Sequence, residues 1–159
     1  PDAELFPFLL FPSAKGPRSS LFTEGPKQRA VKKQIISTDQ APAAIGPYNQ
    51  AVIHNGTLYC SGQIAIDPAS GELVTGSIED ETRQVLKNVG GLLEAAGCGF
   101  EDVLKVSVFV KDMNLYGRIN DVYAEFFKPE FAPARELVEV ANLPKFVNIE
   151  ISVIAAVGE

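Results

Sequence analysis

The sequence predicts a single α/β domain, a mixed β-sheet with two helices packed on one face. Three observations predict it. The chain has 159 residues, enough for one domain with a sizeable core and too few for two ordinary ones. Hydrophobic residues make up 46% and charged residues 21%, the balance of a chain that folds around a core. Six short stretches read as strands and two longer ones as helices, in the order β-β-β-α-β-α-β-β.

Residues 1–33 stand apart. They hold Pro1, Pro7, Pro12, Pro17 and Pro26, an apolar stretch from Leu5 to Phe11, and then a basic, serine-containing stretch. The net charge is +5 between Ser13 and Lys33 and −9 from residue 34 onward. That split suggests a leader ahead of the domain, either an organelle transit segment or a disordered extension. The compartment expected is then the cytoplasm, or a mitochondrion or plastid if the leader is a transit peptide.

The domain, residues 34–159, opens with a short strand at 34–38. Residues 50–54 and 57–62 flank Asn55-Gly56, a strong hairpin signal. Ser77 suits the N-cap of a helix running to about Ala96 and closed by Gly97. Val85, Leu86, Val89, Leu92 and Leu93 fall on one stripe of it. Gly90 and Gly91 cost about 1 kcal/mol each inside a helix, and close packing against a sheet would explain them. Residues 104–110 form a strand with Val106, Val108 and Val110 on one face and Ser107 and Phe109 on the other. A second helix is expected from about Asn114 to Phe127, stopped by Pro129 and Pro133. Strands near 136–141 and 147–155 complete the domain. In the last, Val147, Ile149, Ile151, Val153 and Ala155 face one way, and Asn148, Glu150, Ser152 and Ile154 the other. Two helices cover one sheet face only. The other is expected to carry Phe109, Leu137 and Ile154, a half-apolar surface suited to a subunit interface.

Bulk properties exclude several functions. The net charge of −6 repels phosphate backbones, so no nucleic-acid partner is expected. No apolar run reaches the roughly 18 residues that span a bilayer, so no membrane partner is expected either. One histidine, His54, and two separated cysteines, Cys60 and Cys98, do not make an ordinary structural zinc site. Cys60 reads as a small buried apolar residue and His54 as a surface-turn residue. Taken bare, Arg135 is a solvated charge or a partner for Glu136 or Glu139, and Glu150 an outward strand residue.

Several blocks in order change that reading: APAAIGPYNQAV (41–52), SGQI (61–64), VFVKD (108–112), NDVYAEFF (120–127), PAR (133–135), VEVANLP (138–144) and IEI (149–151). Together they resemble the RidA family, the YjgF-like reactive intermediate deaminases, over about residues 33–157. The resemblance implies a chorismate-mutase-like fold. It also implies a homotrimer whose sheets form a central β-barrel, with active sites in the clefts between subunits. The implied reaction is hydrolysis of 2-imino or enamino acids, such as 2-iminobutanoate and 2-iminopropanoate, to 2-oxo acids and ammonia.

Carried over by position, the substrate-anchoring arginine falls at Arg135, the acidic site residue at Glu150 and the pocket tyrosine at Tyr48. Ser61, Gly62 and Asn120 fall in blocks that line the same cleft, and Leu137 would contribute its backbone carbonyl. These residue types suit the chemistry. A guanidinium grips a carboxylate through two parallel charge-assisted hydrogen bonds. A protonated C=N is already a strong electrophile, so a placed water suffices and no metal or organic cofactor is expected. Glu150 could orient that water and move protons. The sequence departs from the family after the arginine. Glu136 stands where a small residue is favoured, and Leu137 where a cysteine is frequent. Strand alternation puts Glu136 on the side away from Arg135 and Leu137. Competing readings are a non-catalytic trimer that binds small metabolites or protein partners, and an RNA-directed translation inhibitor.

Overall fold

The computed structural model describes residues 32–158. The leader expected over residues 1–33 therefore lies outside the described residues, apart from Lys32 and Lys33. The expected element order is found: β1 (Gln34–Ile36), β2 (Ala51–His54), β3 (Thr57–Cys60), α1 (Ile78–Ala95), β4 (Val103–Val110), α2 (Tyr116–Phe126), β5 (Ala134–Glu139) and β6 (Ile149–Ala156). The strands form one sheet in the order β1-β2-β3-β6-β4-β5.

Asn55 and Gly56 turn the β2–β3 hairpin with φ of 50° and 69°, the left-handed pair that a tight hairpin needs. His54, at this turn, donates its Nδ1–H to the Lys32 carbonyl at 2.9 Å. β6 inserts between β3 and β4, antiparallel to both. β4 and β5 run parallel, with α2 as their crossover. The helix-side face carries Leu58, Val106, Val108, Val110, Ile149, Ile151 and Val153, all buried. Against them pack Val85, Leu86, Val89, Leu92 and Leu93 of α1 and Ile119 and Val122 of α2. Each such side chain contributes about 1.5–3 kcal/mol on burial, which makes this layer the main source of stability. Cys60 belongs to it, and burial pushes its thiol up to about 12.

Ser77 caps α1 as expected, its hydroxyl accepting from the Asp80 amide at 3.1 Å. Gly90 and Gly91 do allow close packing, but not against the sheet. A Cβ on Gly91 would lie 2.8 Å from the Gln40 carbonyl oxygen, and one on Gly90 3.3 Å from the Phe100 ring. The loop after β1 and the turn after α1 are the close neighbours.

Other boundaries moved for identifiable reasons. β5 begins at Ala134 instead of 136, because its pairing with β4 starts at Lys105 opposite Ala134; Arg135 is therefore inside the strand. Asp112 caps a short 3-10 turn, Met113–Leu115, and α2 proper starts at Tyr116 instead of Asn114. β3 stops at Cys60, because the Ser61 amide turns to the Gln50 carbonyl at 3.0 Å.

Two residues expected on the uncovered face are elsewhere. Leu137 stands opposite buried Val108 and packs against the core, since directly paired residues share a sheet face. Val138 takes its place beside Phe109, 42% exposed, on the face that also presents Tyr59 at 46%. Asn148 precedes β6 and turns its amide to Glu81 of α1.

Candidate functional site

Alternation along β6 sends Ile149 and Ile151 into the core and leaves Glu150 on the opposite face, paired with Phe109. The chain leaving β3 crosses beside it. A Cβ on Gly62 would sit 1.8 Å from Glu150 Oε1 and 2.7 Å from its carboxyl carbon. The carboxylate therefore rests directly on the glycine backbone, and no other residue leaves room for it. Gln63 fixes this crossing. Its backbone exchanges hydrogen bonds with Ile151 at 2.8 and 3.0 Å, and its buried amide donates to the Ser61 and Gly62 carbonyls.

Buried Gln50 does the same for the facing loop. Its Oε1 accepts from the Thr38 amide at 2.8 Å, and its Nε2 lies within 3.0 Å of the carbonyls of Thr38, Ala41 and Pro42. Between loop and strand lies a cavity of about 110 Å³ walled by Ile45, Tyr48, Ile64 and Pro144, with Gly62 and Glu150 at its base and Lys145 in its wall. Burial raises the Glu150 carboxyl above its ordinary pKa, because the charged form loses hydration there. Ser61 stands beside this cavity. Its hydroxyl donates to the Asn49 carbonyl at 2.7 Å, which ties the two sides of the loop.

Arg135 and Asn120 form a second cluster, and Leu137 follows Arg135 two residues further along the same strand. Arg135 pairs with Val106, so it points to the helix side of the sheet. There its Nη1 donates to Asn120 Oδ1 at 2.9 Å and its Nη2 to the Tyr116 hydroxyl at 3.1 Å. The guanidinium carbon lies 4.6 Å from the centre of the Tyr123 ring and 5.8 Å from that of Tyr116. These contacts hold the fork flat and leave part of its donor edge uncommitted. Among the described residues, no carboxylate lies within ion-pair distance of Arg135. Glu136 points to the other face, where Lys105 and Ser107 hold it. Lys105 first, then Ser107, lowers its pKa.

Within one chain the two clusters are apart. Tyr48, Gly62 and Glu150 share the cavity, and Arg135 and Asn120 do not reach it. Arg135 and Glu150 lie on opposite faces of the sheet, with two strand spacings and three residues between them, about 14 Å. Among the described residues, no group of three or more His, Cys, Asp or Glu is placed to hold a metal ion.

Sequence reasoning missed Gln50, Gln63, Tyr116, Tyr123 and Lys145. One signal was legible: Tyr116, Asn120 and Tyr123 fall four and three residues apart, a single helical stripe. The buried glutamines gave no such signal, since a glutamine beside a turn usually faces water.

A small mixed sheet backed by two helices, with a carboxylate in an apolar-walled cavity, defines an α/β protein with a metabolite-sized site. The endoribonuclease L-PSP family model matches residues 38–157, and the chain belongs to that family, the RidA or YjgF-like proteins. It is 54% identical to a RutC family protein of Pyrococcus horikoshii over 123 residues, 77% of this chain and 97% of the relative. It is 50% identical to the 2-iminobutanoate/2-iminopropanoate deaminase of Bos taurus over 126 residues, 79% of this chain and 91% of the relative. Among solved structures, E. coli TdcF with bound serine matches with a TM-score of 0.74 and 42% identity, covering 79% of this chain and 99% of that one.

Proposed function

We propose that this protein hydrolyses 2-imino acids, 2-iminobutanoate and 2-iminopropanoate among them, to 2-oxo acids and ammonia. We further propose that it works as a homotrimer, in which the Arg135 cluster of one copy meets the Glu150 cavity of the next. The observation that carries this reading is complementary chemistry in two halves. A flat guanidinium that has no acidic partner among the described residues and a carboxylate in an apolar-walled cavity are what a small anion with a C=N bond requires. Relatives named as deaminases at this level of identity support it, and so does a family member with a bound amino acid. The half-apolar sheet face bearing Tyr59, Phe109 and Val138 offers a surface for the copies to share.

The substrate carboxylate takes the free donor edge of Arg135. Water adds to the iminium carbon while Glu150 accepts its proton, giving a tetrahedral aminol. The carboxyl group then returns the proton to nitrogen, and as the Glu150 carboxylate takes the aminol hydroxyl proton the C–N bond breaks, releasing ammonia and leaving the oxo acid; the Glu150 proton then passes to the ammonia or to solvent. A raised pKa suits a group that must both take and give a proton near neutrality.

Mixing two inactive variants tests the shared site. Arg135→Ala and Glu150→Gln should each be inactive alone, with imine supplied in situ by an amino-acid oxidase. Co-refolded at equal amounts, random trimers would contain native sites at about a quarter of their interfaces, and oxo-acid release should recover accordingly. Activity retained by Arg135→Ala alone refutes the anchor. No recovery from well-folded mixed oligomers refutes a site built between copies.

A further inference from the structure

Glu81 is a carboxylate 3% exposed on the first turn of α1, and among the described residues it has no ion-pair partner. A buried carboxylate without a counter-charge is costly unless its oxygens are bonded. Both are bonded, and to a single residue. Glu81 Oε2 accepts from the Asn148 backbone N–H at 3.1 Å, and Oε1 from Asn148 Nδ2 at 2.6 Å. The helix N-terminus adds a favourable field.

What lies on either side of Asn148 gives this contact a purpose. Just before it, Lys145 and Phe146 both adopt left-handed backbone, with φ of 54° and 58°. Each costs about 1 kcal/mol or more in an L-residue with a Cβ, and Phe146 is 82% exposed, so its own burial does not offset the strain. Pro144 and Lys145 form part of the cavity wall. Two residues after Asn148 comes Glu150. A strained turn that walls the cavity and a strand that delivers its carboxylate are thus joined at one residue, and α1 grips that residue.

We propose that Glu81 is a positioning residue for this site: through Asn148 it locks the Lys145–Phe146 turn and the start of β6, and so holds Glu150 over Gly62. Its effect on turnover rests on the deaminase reading; the clamp itself does not.

Glu81→Gln tests it, because the two Asn148 donors meet two different Glu81 oxygens, and in glutamine one of those positions becomes an NH2 that opposes its donor. Turnover should fall about tenfold or more, as expected for misplaced groups, with KM changed much less. Amide hydrogen exchange across residues 145–150 should speed up. The double variant Glu81→Gln with Asn148→Asp reverses the side-chain polarity and restores both hydrogen bonds, so it should recover turnover and exchange protection together. Wild-type turnover in the single variant overturns the proposal, and so does a loss that the double variant fails to recover although its thermal stability is restored. Wild-type protein that releases no oxo acid sinks the deaminase reading alone. The exchange experiment then decides the clamp, and unchanged exchange in Glu81→Gln defeats it.

Discussion

Gly62→Ala should nearly silence the enzyme while leaving it folded. The added methyl carbon would stand 1.8 Å from Glu150 Oε1, 2.7 Å from its carboxyl carbon and 3.1 Å from Cγ. An ordinary contact begins near 3.4 Å, so the carboxylate must retreat by about 1.6 Å. Glu150 is a flexible chain that can swing its head aside, so the retreat is a side-chain movement and costs the fold roughly 1 kcal/mol or less. For catalysis the same movement is severe. A misplacement of about 1 Å at a reacting centre can lower a rate about a hundredfold, near 2.7 kcal/mol of barrier. The assay supplies imine with an amino-acid oxidase and follows oxo acid, with thermal unfolding run in parallel. A variant that keeps its melting temperature and turns over within about threefold of wild type would refute the claim that the Glu150 carboxylate must rest where it does.

Glu150→Gln should show a stability difference that depends on pH. The folded protein holds the Glu150 proton more tightly than the unfolded chain does, since burial raises its pKa above the ordinary 4.5. Wild-type stability contributed by this group is thus present below pH 4.5 and lost as pH rises through the raised value. The variant should gain on wild type between denaturant titrations at pH 4 and pH 7, and an identical difference at both would contradict the shift. Tyr123→Phe should leave stability unchanged or raise it by up to about 1 kcal/mol, because the hydroxyl is buried and has no hydrogen-bond partner among the described residues. The ring under Arg135 is kept. A clear loss in chemical denaturation would mean that the hydroxyl has a partner in solution.

Local signals carried most of the fold. Asn55-Gly56, Ser77 and the valine alternation of β4 each act within a few residues, and each gave the right element. Most of the failures are non-local; the late start of α2, set by the Asp112 cap, is the local one. The start of β5 is set by its parallel neighbour, not by its own composition. The face that Leu137 occupies follows from register with Val108, which alternation within β5 cannot supply. Gly91 is explained by the Gln40 backbone, far away in sequence. The site divides in the same way. Tyr48, Gly62 and Glu150 were legible as family positions and do share a cavity. Gln50 and Gln63, which build its walls, read as ordinary polar residues until the loop carbonyls they serve are in view.

The two departures from the family pattern can be weighed on geometry. An acid at position 136 threatens an anion site only if its charge reaches the anchor. Glu136 lies on the opposite sheet face, and Lys105 and Ser107 satisfy its oxygens, so the charge nearest Arg135 in sequence is already neutralised elsewhere. Leu137 removes a thiol, but its side chain packs into the core beside Val108. Any part that position 137 plays in the proposed site would come from its backbone carbonyl, which every residue type supplies. Neither substitution removes a group that the proposed hydrolysis uses. Rings and amides from α2 orient the guanidinium, the Gly62 backbone seats the carboxylate, and residues 136 and 137 can vary while both are kept.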